Sequence, residues 1–426
     1  MRLLQTKACS QCNMKASSAS IAQTSGAPTV TRSVSSSEVR DAATQPLVGG
    51  FGSVALLLQG GGALGAYQGG VYEGLIEHGI EPSWLAGISI GAINSAIIAG
   101  NPLKERVGKL RAFWESVSGE ARGADTFWSS LFVGDGAHRA AIEVAAGEAL
   151  VGGVPGFFAP RIPPPPLQPK NTLAATSWYE TKDLGTTLEH LVDFDRINSG
   201  SVRLSVGAVN VRTGNFAYFD SRRHPIQVKH VMASAALPPG FPAIEIEGEF
   251  YWDGGLVTNN PLSWVLEERT GLDTLIFQVD LWNSRGPMPG DLAQVAVRMK
   301  DIQFSSRTRA VTDAFRRAQH LRAAFNALLA QLSPELAALP EARLLAEASD
   351  PAVYNIVEMI YRSHTYEGQS KDYAFSRQTM EDHWRAGYRD AKRTLAHPEV
   401  LERPAMPSAV QVFDYLDPPN DRVAES

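Results

Sequence analysis

Cysteine is nearly absent from this chain of 426 residues, which contains only Cys9 and Cys12. The residues after Cys12 can therefore form no disulfide and offer no thiolate to a metal, which is typical of a protein from a reducing compartment such as the cytoplasm. A basic surplus is also lacking, since 39 Lys and Arg stand against 45 Asp and Glu. The net charge of −6 argues against a nucleic-acid-binding protein.

Long apolar runs free of glycine are missing as well. Residues 42–72 and 82–103 carry no charge and exceed the ~18–20 residues that a membrane-spanning helix needs. Glycines and polar side chains interrupt both, which indicates buried strands and helices joined by tight turns, so we expect no transmembrane helix. Residues 1–50, rich in Ser, Thr, Ala and Gln, lack the apolar centre of a secretory signal and are predicted to be a disordered tail.

From Ser53 onward the sequence alternates between strand and helix patterns. The segments "SVALLL" and "WLAGIS" predict buried strands, and each precedes a helical segment, "ALGAYQGGVYEGLIEHGI" and "GAINSAIIAG". This alternation predicts mainly parallel strands with right-handed crossovers, and hence an α/β fold. Further strands are predicted at "VRLSVGAVNV", "FAYFD", "EFYWDGG" and "LDTLIFQVDL".

Residues 151–170 interrupt this pattern with seven prolines and the adjacent Phe157 and Phe158. So many prolines exclude a regular element, and we expect either a surface loop or a lid over an apolar site.

The region 287–402 is predicted to be mainly helical, with helices near 291–333, 335–349 and 374–396 and a strand at "YNIVEMIYR". A tail is expected at 403–426. Residues 294–325 carry seven Lys and Arg against two Asp. This stretch is either a basic amphipathic helix on an anionic membrane or an ordinary helix with one face packed inward. The inward face would consist of Val311, Phe315 and Phe325.

The segment "GISIG" follows the second predicted strand and opens the next helix. A nucleophile elbow needs this strand–turn–helix context, with small residues on both sides of a serine in a sharp turn. Gly87 and Gly91 supply the small residues, so Ser89 is the candidate nucleophile.

Gly60, Gly62 and Gly65 match G-x-G-x-x-G, the dinucleotide-binding fingerprint. A dinucleotide fold would have Asp or Glu at the end of the second strand, and this strand ends in Ser89 instead. The alternative is that Gly60, Gly61 and Gly62 expose backbone N–H groups at the start of a helix, where they would stabilise an oxyanion. We therefore predict an oxyanion hole and no nucleotide cofactor.

Asp253 is the candidate base, because it follows a strand and is flanked by Gly254 and Gly255. A buried carboxylate at a turn needs a hydrogen-bond donor, which the hydroxyl of Ser89 could be; alternatively, Asp253 only organises its turn. Three late histidines lack a clear strand-to-loop setting: His364, His383 and His397.

The three segments "GGGALG", "GISIG" and "DGG", in this order, resemble the patatin-like phospholipase family over about residues 53–285. The resemblance implies a three-layer α/β/α fold for a catalytic domain at 51–286 and a Ser89–Asp253 dyad. It also implies oxyanion donors from Gly61 and Gly62, with no histidine, metal or cofactor. Many members have a basic residue where this chain has Leu64, which bears on head-group preference.

The function predicted in this way is hydrolysis of lipid acyl esters, with an apolar acyl ester as substrate. Apolar surroundings, to which Phe250, Tyr251 and Trp252 could contribute, are expected to raise the pKa of Asp253. Three alternatives stay open: an esterase for polyhydroxyalkanoate or hydroxyacyl oligomers, a catalytically silent scaffold, and a dinucleotide-binding oxidoreductase. Peripheral contact with a lipid surface is compatible with the sequence, and the oligomeric state is not predicted.

Overall fold

The computed structural model of the protein describes residues 48–119, 135–268, 270–305, 308–363, 367–368, 370–406 and 409–416. The predicted N-terminal tail therefore lies, apart from its last three residues, outside the described residues.

Helices and strands follow one another along the described chain. The helices are α1 (Ala66–Glu77), α2 (Ile90–Ala99), α3 (Leu103–Val117), α4 (Asp135–Gly152), α5 (Lys182–Leu191), α6 (Phe194–Asn198), α7 (Val228–Ser234), α8 (Leu262–Glu267), α9 (Leu292–Phe304), α10 (Thr308–Leu329), α11 (Pro334–Ala337), α12 (Pro340–Ala348) and α13 (Arg377–Leu395). The strands are β1 (Ser53–Leu58), β2 (Trp84–Ile88), β3 (Ala159–Pro160), β4 (Tyr179–Glu180), β5 (Arg203–Asn210), β6 (Phe216–Asp220), β7 (Ile244–Ile246), β8 (Glu249–Asp253), β9 (Thr274–Asp280), β10 (Tyr354–Ile360) and β11 (Val410–Phe413).

Nine of these strands form one mixed sheet in the order β11-β10-β9-β1-β2-β5-β8-β7, with β6 also paired to β5. The six strands from β11 to β5 are parallel to their neighbours. The antiparallel pairs lie at the other end, where β5 meets β6 and β8, and β8 meets β7. The predicted α/β fold with mainly parallel central strands is confirmed.

Both faces of the sheet are covered, which makes the architecture three-layered. Alternate side chains of β1 enter two separate apolar clusters: Val54, Leu56 and Leu58 lie in one, and Ala55 and Leu57 in the other. The first cluster includes side chains of α1, α2, α3 and α13, and the second includes side chains of α8 and α10. A strand buried on both faces has the continuous apolar sequence seen in "SVALLL".

The region after residue 287 is mainly helical, as predicted, and it also extends the central sheet. Strand β10 pairs in parallel with β9, and β11 pairs in parallel with β10. Strand β11 lies within the predicted tail at 403–426, where four residues of "VQVF" were too short a signal to identify as a strand. The catalytic and C-terminal regions thus share one sheet within the unit Gln45–Ser426.

The single helix predicted near 291–333 is two helices in the structure. Helix α9 ends at Phe304, whose backbone C=O accepts hydrogen bonds from the side chains of Gln59 and Asn259. Helix α10 buries Phe315 and packs Val311 against the second cluster, which agrees with the inward-packing alternative. Among the described residues, no helix combines the length and apolarity needed to cross a membrane.

Helices α1 and α13 lie backbone against backbone because glycine stands at their crossing. A Cβ atom on Gly70 would overlap the backbone C=O of Trp384, and one on Gly387 would overlap the C=O of Tyr67. The C-terminal helix is thereby fixed directly on the helix that follows the glycine loop.

We predict that Gly70→Ala lowers the free energy of unfolding by ~1–3 kcal/mol, because its methyl group overlaps backbone atoms that cannot move separately. Gly108→Ala in α3 is the matched control. Its methyl group meets nothing within 4 Å, so the gain in helix propensity, at most about 1 kcal/mol, should leave stability equal or higher. Urea unfolding of both variants tests this, and equal effects would contradict the close crossing.

Candidate active site

Strand β5 brings the two predicted catalytic residues together. Strand β6 occupies one edge of β5 from Ser205 to Val209, so β2 and β8 must share the other edge. On that edge Ile88 of β2 pairs with Gly207, and Asp253 of β8 pairs with the next residue. Strands β2 and β8 run in opposite directions along this edge and therefore meet at their C-terminal ends. Ser89 consequently lies beside Asp253.

Ser89 lies in a strained turn between β2 and α2, with φ 56° and ψ −125°. Its backbone N–H donates to Oγ of Ser234 at 3.0 Å, and that hydroxyl donates to the C=O of Gly207 at 2.6 Å. A Cβ atom on Gly91 would overlap the C=O of Leu58, and one on Gly87 would overlap the backbone of Gly91. Both glycines are thus required by the space available, and the turn has the conformation of a nucleophile elbow.

Asp253 is 1% exposed. One carboxylate oxygen accepts the N–H of Gly255 at 2.7 Å, and the carboxylate also accepts the hydroxyl of Ser89. Burial raises the pKa of Asp253 from its ordinary 3.8 to about 7, against the opposing effect of these two hydrogen bonds. Gly254 packs close to β5, since a Cβ there would lie 2.6 Å from the C=O of Gly207. Phe250, three residues earlier on the same strand, is 37% exposed and contributes little to this burial.

The glycine loop, which lines one cavity with Ser89, includes two backbone N–H groups without a hydrogen-bond partner among the described residues. Asn259 holds Gly60 at both polar groups: Oδ1 accepts its N–H at 3.1 Å, and Nδ2 donates to its C=O at 3.0 Å. Among the described residues, the N–H groups of Gly61 and Gly62 have no hydrogen-bond acceptor. Gly62 has φ 56°, in the left-handed region that favours glycine.

Gly65 has a different part in the same motif. It is buried at the end of the short 3-10 turn Gly62–Gly65, where a Cβ would lie 2.6 Å from Ile90 and 2.9 Å from Trp114. Of the four predicted oxyanion-hole glycines, Gly61 and Gly62 can offer donors, while Gly60 and Gly65 position the loop.

Two backbone C=O groups C-terminal to the predicted catalytic domain, those of Phe304 and Asp372, hold the glycine loop in place. The side chains of Gln59 and Asn259 both donate to the C=O of Phe304 at 3.0 Å. The N–H of Ala63 donates to the C=O of Asp372 at 2.9 Å. Sequence reasoning missed all of these partners, although Gln59 directly precedes the glycine motif and Asn259 follows the "DGG" segment closely.

Leu64, which replaces the usual basic residue, is fully buried in the core. Positive charge near the loop comes instead from the C-terminal region. Lys300 pairs with Asp372 at 2.5 Å, and Lys371 pairs with Asp301 at 2.7 Å. These two ion pairs connect α9 to the segment whose backbone holds Ala63.

A cavity of about 180 Å³ opens at Ser89 and Asp253. Its wall beyond the polar groups is mainly aromatic and includes Phe157 and Phe158 of the proline-rich segment. The ring of Phe158 lies 5.2 Å from that of Phe241 and 4.9 Å from that of Tyr179, so the wall is a packed cluster. The proline-rich segment thus contributes part of the wall of an apolar cavity.

No histidine of the described chain lines this cavity. His383 is buried beside Glu367 in α13, His397 stacks on Tyr415, and His364 lies outside the described residues. The described residues also contain no group of three or more His, Cys, Asp or Glu that could hold a metal ion.

Comparison with known proteins points to one family. The profile of the patatin-like phospholipases matches residues 56–265, and a second profile, described as patatin phospholipase, matches residues 302–407. Triacylglycerol lipase SDP1L of Arabidopsis thaliana is 38% identical over 65 residues, which are 15% of this chain and 8% of that protein. The chain therefore corresponds to only a small part of that relative.

Among solved structures, VipD from Legionella pneumophila aligns over 81% of this chain and 66% of its own, with 14% identity. Its TM-score of 0.34 is too low to inform on fold or function. The two profiles together span both the glycine, serine and aspartate motifs and the C-terminal region that holds the glycine loop. The predicted family is thereby confirmed: this chain belongs to the patatin-like phospholipases.

Proposed function

We propose that the protein hydrolyses lipid acyl esters, with Ser89 as nucleophile and Asp253 as general base. The observation that carries this proposal is the hydrogen bond from Ser89 to a buried carboxylate whose pKa is about 7. A base with a pKa near the working pH is about half ionised there and still basic enough to accept a proton. The family and the apolar cavity support the lipid substrate class.

In the first half of the reaction, Oγ of Ser89 attacks the ester carbonyl carbon while its proton passes to the carboxylate of Asp253. The carbonyl oxygen becomes an oxyanion that accepts the free N–H groups of Gly61 and Gly62. The tetrahedral intermediate then collapses. The alcohol leaves with the proton that Asp253 returns, and the acyl group remains on Ser89.

In the second half, Asp253 takes a proton from a water molecule as that water attacks the acyl-enzyme. The same glycine N–H groups stabilise the second oxyanion, and the fatty acid leaves as Ser89 recovers its proton. Because Asn259 and the C=O of Phe304 hold the loop before substrate arrives, these donors need no reorganisation during the reaction.

The volume and the lining of the cavity indicate which part of the substrate it binds. An engineered protein cavity of about 150 Å³ holds a benzene molecule, so about 180 Å³ accommodates a chain of several carbons. Aromatic side chains form its wall, with the polar groups gathered near Ser89. This arrangement suits the apolar acyl chain of an ester and leaves the alcohol part at the opening.

A fluorophosphonate probe tests the proposal directly. We expect one adduct, located at Ser89 by peptide mass spectrometry, and none in Ser89→Ala. Asp253→Asn should react ~10²–10⁴-fold more slowly, which is the usual contribution of a general base. Ser95→Ala is the matched control: Ser95 is buried in α2 and does not line the cavity, so its labelling should equal that of the wild type.

The same proteins are then assayed on mixed lipid esters and on hydroxybutyrate oligomers. Turnover of lipid esters that is lost in Ser89→Ala supports the proposal, and turnover of the oligomers alone would favour the polyester alternative. A folded wild-type protein that neither reacts with the probe nor turns over any ester would contradict the proposal.

We expect the pH dependence of kcat/KM to report the carboxylate of Asp253. Because the base must be ionised, kcat/KM should fall about tenfold per pH unit below pH 7 and level off above it. Initial rates on a soluble ester between pH 5 and 8.5 measure this profile. A midpoint near pH 4 would show that burial does not raise the pKa of Asp253.

The pH dependence of the free energy of unfolding reports the pKa of Asp253 independently of catalysis. An acid whose folded pKa is raised destabilises the fold as pH rises from its ordinary 3.8 to about 7, and the loss persists above that. Three pH units correspond to roughly 4 kcal/mol, so Asp253→Asn should unfold at higher temperature than the wild type at pH 8 and lose this advantage toward pH 4. Ser89→Ala keeps the buried carboxylate and should keep the pH dependence; a difference independent of pH would contradict the raised pKa.

A further inference from the structure

Large apolar side chains are exposed along the proline-rich segment and its two ends. Ile162 is 93% exposed, Val151 82% and Leu167 72%. Scattered exposed apolar residues need no explanation, but several in one short stretch indicate a contact surface. We name this surface the 150–178 face, and its members are Leu150, Val151, Ile162, Leu167, Leu173 and Trp178.

The 150–178 face is held in place by its own backbone. Strands β3 and β4 pair antiparallel, and the N–H of Arg161 donates to the C=O of Trp178 at 3.0 Å, so Arg161 lies opposite Trp178. The 3-10 turn Pro165–Leu167 packs against the 3-10 turn Leu173–Thr176. The backbone that carries the exposed side chains is therefore fixed by contacts within the segment.

This face continues into the wall of the catalytic cavity. Leu150 lines the cavity although it is 49% exposed, and its C=O accepts the hydroxyl of Tyr179 at 2.7 Å. Phe157 and Phe158, in the same segment, are buried in that wall. One segment thus places aromatic rings inside the cavity and aliphatic side chains outside it.

The charge of this segment is one-sided. In a chain that is 20% charged, the 30 residues from 149 to 178 would carry about six charged side chains, yet they contain only Arg161 and Lys170 and no acid. Lys170 is exposed. Arg161 donates to Oγ of Ser177 at 3.1 Å, and the flanking acids Glu148 and Glu180 lie at the two ends of the segment. Lys170 is thus the exposed cation among the apolar side chains, a combination that favours binding to anionic lipid surfaces.

We propose that the 150–178 face binds the enzyme to an anionic lipid–water interface, with the cavity opening toward the lipid. This rests on the proposed function, because it delivers an acyl ester from the lipid phase to Ser89. Its occupant is a lipid surface and not a protein.

A second exposed apolar stripe, on α9, fits this role less well. It consists of Leu292, Val295, Met299 and Ile302. The two cations of α9 are engaged within the protein, Arg298 with the C=O of Asn283 and Lys300 with Asp372. The stripe therefore lacks an exposed cation comparable to Lys170 of the 150–178 face.

Co-sedimentation with vesicles of phosphatidylcholine, with and without phosphatidylglycerol, tests the proposal. All proteins carry Ser89→Ala so that no lipid is hydrolysed, and binding is measured whether or not Ser89 is the nucleophile. The test variant adds Ile162→Ser, Leu167→Ser and Trp178→Ser, and should bind at least about tenfold more weakly. The matched control adds Leu336→Ser, Leu339→Ser and Leu344→Ser, whose leucines are 46–67% exposed on α11, α12 and their link, and should bind as before.

Lys170→Glu tests the charge. It should weaken binding to vesicles that contain phosphatidylglycerol and leave binding to pure phosphatidylcholine unchanged. The test variant with Ser89 restored should hydrolyse a soluble short-chain ester like the wild type and lose activity only on vesicles.

Three outcomes would overturn the docking proposal. One is equal vesicle binding by the test and control variants. Another is loss of soluble-ester activity in the test variant, which would show damage to the cavity instead of to a docking surface. The third is a dimer in gel filtration that the test variant dissociates, because a second copy of the chain would then occupy the face. Failure of the proposed function would appear separately, as absent probe labelling of a protein that still binds vesicles.

Discussion

The arrangement of the site depends on one edge of strand β5. Strand β2 pairs with the first part of that edge and β8 with the last, in opposite directions, so both strands end at the junction of Gly207 and Ala208. Backbone hydrogen bonds therefore set the distance between Ser89 and Asp253. The hydroxyl of Ser234 secures the same junction, because it accepts the N–H of Ser89 and donates to the C=O of Gly207. The proposed dyad, fixed by sheet register in this way, needs no third residue to orient its base.

The same junction carries two energetic penalties. A carboxylate that is 1% exposed and has two hydrogen-bond donors loses more in hydration than it regains, which is why burial raises the pKa of Asp253 to about 7. Ser89 adds a backbone conformation that L-residues rarely adopt. Both penalties fall on the two proposed catalytic residues, and the surrounding parallel strands and two apolar clusters compensate for them. If that sheet could relax, Ser89 would lose its strained backbone conformation and Asp253 its raised pKa.

What the sequence predicted correctly is local. The fold class followed from strand and helix periods. The glycines of the motif around Ser89 follow from steric demands within a few residues, such as the overlap that a side chain at Gly87 would make with the backbone of Gly91. The partners of the glycine loop were not predictable, because an amide such as Gln59 can bind any backbone group and Phe304 offers only its C=O. Strand β11 escaped prediction since four residues carry too little periodicity to distinguish a strand from a tail.

The C-terminal region therefore supports the site structurally, although no motif in its sequence indicates this. It supplies the C=O of Phe304 to Gln59 and Asn259, and the C=O of Asp372 to Ala63, so the loop with the free N–H groups is held on both sides. Its last helix is fixed on α1 at Gly70, directly behind that loop. Backbone carbonyls hold a loop only while their own chain is fixed, and the ion pair of Lys300 with Asp372 provides that fixation. If the oxyanion is stabilised by Gly61 and Gly62, the catalytic unit extends through α13 and does not end at residue 286.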